Sequence, residues 1–414
     1  MVTLVAAILS GFYGGHLPIL FAEAAGATFL LRLLRDPQAP PVWHSFRRNP
    51  ILALWLLVCC GTAAIQLALG CTTSPWETHK QLHYFASALL LIPLLSEATP
   101  KLASDRGILV ITSSFGIYLV ASLVAAGITT SLNDADSAIW WPFVYRNHFA
   151  AFVLMGIAAL AWVALQRPTL RWLAALALVF ALSALLSCGS RSGFVGMVAL
   201  AICFPLAALR HLANRRTARW MALVLPAGLL LSALLANPEL LLWRWEHGGP
   251  VLEGRLDYWL ASLQMIAAKP ILGWGFGTWP DVYLQFMQKD GGLVVNRAHS
   301  DFLEYAAEGG VLVLLGLAAL LVRSLWLAFR QPWSMGAAMV LLLALADYPL
   351  HLPLLLWLLV ALLVAAESAC ERKNSLSPPA VIRFQNRPRP IPVKPHASRG
   401  VMPEHGVPES CADG

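Results

Sequence analysis

"HFAAFVLMGIAALAWVAL", residues 148–165, runs for eighteen positions without a carboxylate, lysine or arginine. As a helix it is about long enough to cross the hydrocarbon core of a bilayer. Similar apolar blocks fall near 2–12, 17–33, 51–70, 83–98, 107–127, 172–188, 193–209, 220–236, 306–323, 335–347 and 352–368. The pattern predicts an all-α, polytopic integral membrane protein with about twelve transmembrane helices. The first block is weak and the last two are short, so an eleven-span reading without residues 2–12 also fits; short spans are accommodated by local thinning or by packing. Composition agrees. Of 414 residues, 58% are hydrophobic and 12% charged, about half the charge of a soluble domain. The alternating ten-residue segments of a β-barrel do not occur. Residues 2–12 lack the basic start and cleavage site of a signal peptide.

Basic residues orient the chain. The loops 32–48, 99–106, 166–171, 210–219 and 323–334 and the stretch after 368 hold 21 of the 29 lysines and arginines. By the positive-inside rule this set is cytoplasmic. The net charge of +7 then reflects topology and does not indicate nucleic-acid binding. Two units follow: a transmembrane bundle over 1–368, and a cytoplasmic tail over 369–414. The tail is rich in proline and basic residues, too poor in apolar residues to fold, and suited to anionic lipid. Segment 237–305 is a large loop on the opposite side. Within it, Leu256, Trp259, Leu260, Leu263 and Ile266 form one helical stripe. Pro270 ends that helix and "GWGFGTWP" turns the chain. Amphipathic helices with tryptophan suit a membrane interface, so the loop is expected to form a cap against the lipid surface.

Four polar groups stand out in this apolar chain. Arg191, in "SCGSRSGF" (187–194), lies between two apolar blocks, where an arginine is costly and is usually paired or functional. The alternative is a snorkelling arginine at a tight turn. Arg255, in "LEGRLDYW" (252–259), opens the amphipathic helix; its guanidinium and the helix N-terminus both favour phosphate. Glu253 and Asp257 offer it a plain ion pair instead. His299 is the side chain best able to accept a proton near neutral pH, and Asp301 either orients it or caps the next helix. Arg146, Asn147 and His148 sit at a water–lipid boundary, as substrate contacts or as a polar collar. Asp347 and Glu23 receive no role. The seven cysteines have neither metal nor disulfide spacing. No carboxylate pair demands a metal, because arginines can stabilise a diphosphate leaving group instead. No cofactor is indicated. Together the groups predict a site where arginines hold a diphosphate and a histidine deprotonates an acceptor hydroxyl.

The stretches "YRNHFAAF", "CGSRSGF", "GRLDYWLASLQMIAAKPILGWGFGTW" and "AHSDFLEYAAEGGVLVLLG", in this order, resemble the O-antigen ligase family, which includes O-antigen polymerases and protein O-oligosaccharyltransferases. "DYPLHLP" resembles its final outer motif. The resemblance covers roughly residues 140–355. It implies a GT-C-like membrane glycosyltransferase in the bacterial inner membrane, working on the periplasmic side. The implied donor is an undecaprenyl-diphosphate-linked glycan. The implied acceptor is lipid A-core, a second lipid-linked glycan or a protein hydroxyl. It further implies that Arg191 and Arg255 contact the diphosphate, that His299 activates the acceptor, and that the reaction is metal-independent and inverting. Two positions depart from the pattern: Ser300 follows His299 where asparagine is common, and Tyr145 replaces the first asparagine of the boundary motif. A transporter would instead show internal repeats and midplane charges; no clear repeat and few such charges are present. A noncatalytic scaffold using the tail is the third reading.

Overall fold

In a computed structural model of the chain, residues 42–130, 145–211, 239–247, 255–287 and 295–376 are described, with a few isolated positions besides. Every regular element among the described residues is helical. In chain order these are α1 (Val42–Arg48), α2 (Pro50–Ala68), α3 (Pro75–Leu102), α4 (Asp105–Thr130), α5 (Arg146–Gln166), α6 (Arg171–Ser187) and α7 (Arg191–Leu209). Then come α8 (Glu239–His247), α9 (Arg255–Ala268), α10 (Trp279–Tyr283), α11 (Asp301–Gly309), α12 (Val311–Arg330), α13 (Met335–Leu343) and α14 (Pro353–Leu376). Short 3₁₀ turns cover Pro332–Ser334 and Pro349–His351.

Six of these helices are long and apolar enough to cross a membrane: α2, α3, α5, α7, α12 and the Pro353–Arg372 part of α14. α6 and Pro332–Leu343 are shorter apolar helices. The expected blocks 2–12 and 17–33, most of 220–236 and the tail beyond 376 lie outside the described residues, so the count of twelve does not rest on this structure. Apolar side chains also face outward: Leu54 is 63% exposed, Trp172 70% and Val322 67%. A bundle that is apolar on its outside has hydrocarbon as its solvent.

One expected span is redrawn. Block 306–323 is not one helix: α11 ends at Gly309, and the spanning helix begins at Val311. Asp301, Glu304 and Glu308 share one face of α11, and all three are fully buried; that face needs protein partners, not lipid. Gly310 has φ 84°, and a Cβ there would lie 2.0 Å from the Ile271 carbonyl. Only glycine permits the break. The last helix likewise runs past the expected boundary at 368.

The alternation of helices gives the bundle two ends. One carries the pairs Arg48–Glu371, Arg167–Asp105 and Arg323–Glu367. The other carries the starts of α3, α5, α7, α12 and α14, together with the cap. In the cap, α9 buries Ala261, Ser262 and Met265 against Trp279, Val282 and Tyr283. Of its predicted stripe, Leu256, Leu260 and Leu263 face outward, about half exposed, while Ile266 packs against this core. Backbone bonds Trp274 N→Ala307 O (3.1 Å), Gly275 N→Glu308 O (3.1 Å) and Val311 N→Pro270 O (2.8 Å) tie the cap to α11 and α12. Gln66 of α2 donates to Glu308 O at 2.7 Å, and its own carbonyl accepts from Phe276 N at 3.3 Å. Beneath lies an aromatic knot of Trp55, Phe85, Phe276 and Tyr305, with centroids 5.0–6.4 Å apart.

Candidate active site

His299 sits between α10 and α11 with φ 53°, the one non-glycine residue with positive φ among the described residues. That conformation costs about 1 kcal/mol or more and persists only where the surroundings enforce it. Ser300 then caps α11, its Oγ accepting from Leu303 N at 3.3 Å. A cap needs only a short side-chain oxygen, so serine serves at this position. The imidazole stacks on Tyr258 of α9 (6.2 Å) and meets Tyr348 edge-on (5.1 Å). Its side chain is about one-third exposed, and Nδ1 lies 3.9 Å from Asp347 Oδ1. That is too long for a hydrogen bond but close enough for charge to matter.

Asp347 is the hub. It is almost fully buried. Its Oδ2 accepts from Asn147 Nδ2 at 2.7 Å, and its Oδ1 from Tyr348 N at 3.0 Å. Asn147 Oδ1 in turn accepts from Ser190 Oγ at 2.8 Å, and Ser190 Oγ caps α7 through Gly193 N at 3.0 Å. Arg255 donates to the carbonyl of Ala346, the residue before Asp347. Burial alone would raise the Asp347 carboxyl; His299, Arg255 and His148 outweigh it and hold it below the ordinary value. It is therefore a carboxylate at neutral pH.

Four sequence-chosen segments thus meet at one turn. Arg146, Arg191 and Arg255 are the first residues of α5, α7 and α9. A guanidinium at a helix N-terminus opposes the helix dipole. Neither α5 nor α7 has an acidic residue in its first turn, and only α9 has one, Asp257. The starts of the three helices are linked to the Asp347 turn through Asn147, Ser190 and Arg255. His148 is buried and packs edge-on against Tyr348 at 4.8 Å, which bridges it to His299. Tyr145 is about half exposed and packs edge-on with Tyr348 at 5.9 Å.

Asp301 takes neither job weighed for it. The cap of α11 is Ser300, and the carboxylate beside His299 belongs to Asp347. Asp301 is fully buried, accepting from Leu350 N at 2.8 Å and lying 2.6 Å from His351 Nδ1. This enclosure leaves it no surface for a substrate. Its neighbours complete a charged knot: Arg297 Nη1 and Ala298 N donate to the two oxygens of Glu304 at 2.7 and 2.8 Å, and His351 Nε2 is 3.1 Å from Glu304 Oε1. Glu308 accepts from Trp279 N at 3.0 Å. Burial, aided by the charge of Glu304, pushes Glu308 up to about 8; burial also raises Asp301 and lowers His351.

Glu304, Glu308 and His351 offer donor atoms within 4.8 Å of one another, the one such group among the described residues able to hold a metal. Arg297 already occupies the Glu304 oxygen that faces His351 and supplies the local positive charge. Within the cluster, His351 Nε2 and Glu308 Oε2 are buried without a hydrogen-bond partner.

Sequence reasoning missed Asp347, Tyr258 and Tyr348. The signal was present in the "DYPLHLP" turn, but no spacing linked it to His299.

Fold and site together define an all-helical protein of membrane-spanning character with His299, Asp347 and three arginine-led helix starts at one end of its bundle. Residues 176–318 match the family described as O-antigen ligase, and Arg191, Arg255 and His299 lie inside the match. The match supports a membrane glycosyltransferase-like role in polysaccharide biosynthesis. No curated protein matches it.

Proposed function

We propose that the protein transfers a glycan from an undecaprenyl-diphosphate-type carrier to an acceptor hydroxyl at the periplasmic face of the bacterial inner membrane. The observation that carries this reading is the convergence of three arginine-led helix N-termini beside the His299–Asp347 pair. The diphosphate binds among Arg146, Arg191 and Arg255, where its charge offsets both guanidiniums and helix dipoles. With Nδ1 directed at Asp347, Nε2 of His299 takes the proton of the acceptor hydroxyl. The acceptor oxygen bonds the anomeric carbon as the carbon–oxygen bond to the diphosphate breaks. The diphosphate leaves with the electron pair, its charge held by the arginines. The anomeric centre inverts in this single displacement. Asp347 stabilises the imidazolium, and Asn147 and Ser190 hold Asp347 in place. The arginines fill the role a divalent cation would otherwise play, so chelation leaves turnover unchanged in this scheme.

The test uses the full chain in lipid with a lipid-diphosphate-linked glycan, offered lipid A-core, a second lipid-linked glycan and a serine-rich peptide in turn. Transfer to one acceptor, reduced about 10²- to 10⁴-fold in His299→Ala, is expected. Full transfer by His299→Ala overturns the role of His299. No transfer to any acceptor by folded protein, with flux in sealed vesicles, replaces the reading with a transporter.

A further inference from the structure

The strained backbone at His299 needs an agent that holds it, and the residues on either side show which. After His299, Asp301 N donates to the carbonyls of Ala344 (2.9 Å) and Asp347 (3.0 Å), which anchors the start of α11 to the Asp347 turn. Before His299, the two residues Arg297 and Ala298 both end on one carboxylate, that of Glu304 (2.7 and 2.8 Å). Glu304 lies one turn into α11, is fully buried, and donates its own backbone N–H to Ser300 O at 2.9 Å. The segment 297–304 is therefore closed on itself, side chain to backbone, around His299. Asp301, 2.6 Å from Nδ1, holds the His351 ring, whose Nε2 lies 3.1 Å from the same carboxylate.

We propose that Glu304 is a positioning residue for His299: by gripping Arg297 and Ala298 it fixes the left-handed turn that points the imidazole between Tyr258 and Tyr348 at Asp347. The proposal rests on His299 being the base, but its footprint does not. Glu304 acts on His299 through the backbone before it and through its charge, so its loss is expected to leave donor binding intact and to loosen the imidazole. Arg297 is the second handle on the same grip, and at 29% side-chain exposure it tolerates change better than the buried carboxylate.

The experiment compares wild type, Glu304→Gln, Arg297→Lys and His299→Ala in lipid discs. Two quantities are read: steady-state turnover with donor KM, and the rate at which diethylpyrocarbonate modifies His299, followed by peptide mass spectrometry. Glu304→Gln keeps an acceptor for Ala298 N but loses the charged pair; Arg297→Lys keeps the charge but loses the fork. In both, turnover is expected to fall at least tenfold at unchanged donor KM, while His299 modification speeds up severalfold. Modification at the wild-type rate in Arg297→Lys and in folded Glu304→Gln overturns the proposal, whatever happens to turnover. A rise in donor KM with unchanged turnover overturns it too, by moving Glu304 into donor binding. If His299→Ala keeps full activity, the base assignment fails, while faster modification in the other two variants still upholds the positioning role.

Discussion

At the scale of single residues, the site is a set of local rules broken together. Arginines begin helices where acids belong, a histidine adopts a backbone suited to glycine, and carboxylates are buried. Each departure is unfavourable alone, and their coincidence marks function. Asp347→Asn keeps the shape of the hub but removes its charge. Turnover is expected to drop about 10²- to 10⁴-fold, as when the carboxylate behind a catalytic histidine is neutralised, with little change in donor KM. Arg255→Ala should instead raise donor KM; steady-state kinetics separates the two. Glu308 gives a pH prediction. Its carboxyl is raised to about 8 in the folded state, so it favours the fold below its ordinary value and opposes it as pH rises through about 8. The melting temperature of Glu308→Gln should therefore decline less than that of wild type between about pH 5 and pH 9. Arg191, Arg255 and His299 stood out in the sequence because charge is scarce in this chain. Asp347 was not, because its partner Asn147 lies 200 positions away and no local pattern joins them. Asp301 misled because a residue two places after a histidine looks the same whether it caps, orients or turns inward.

At the scale of elements, hydropathy finds helices well and their ends poorly. The apolar run into α12 hid the break at Gly310, whose cause is a close approach to Ile271 rather than anything in the run itself. The stripe on α9 was legible as periodicity. Which side would face protein was not, because Ala261 and Met265 meet a core built from the later residues Trp279, Val282 and Tyr283. That core depends on Trp279, which is fully buried, stacks on Tyr283 at 4.7 Å and donates to Ser262 Oγ at 2.9 Å. Trp279→Ala should weaken the cap by about 3–5 kcal/mol. Limited proteolysis should then cut within 255–287 while the spanning helices keep their circular dichroism. Equal resistance of the variant would show that the cap is held by its backbone ties alone.

At the scale of the whole molecule, the distribution of charge and the position of the site describe one axis. The pairs Arg48–Glu371, Arg167–Asp105 and Arg323–Glu367 gather at one end, and His299 and the arginine-led helices at the other. If the positive-inside rule governs, Asn296→Cys in a cysteine-free background reacts with a membrane-impermeant maleimide from the periplasmic side. Ala103→Cys reacts only after the membrane is opened. Reversed labelling would put the site in the cytoplasm. The backbone ties between the turn at 270–275, α11 and α12 carry a further consequence. A roof fastened by Trp274, Gly275 and Val311, with Gln66 bolted beneath it, does not swing as a lid. Under the proposed function, the lipid carrier then reaches His299 from the side, along the plane of the bilayer past the outward leucines of α9. In such a design the traffic of lipid, not the opening of a door, sets how often His299 meets its substrate.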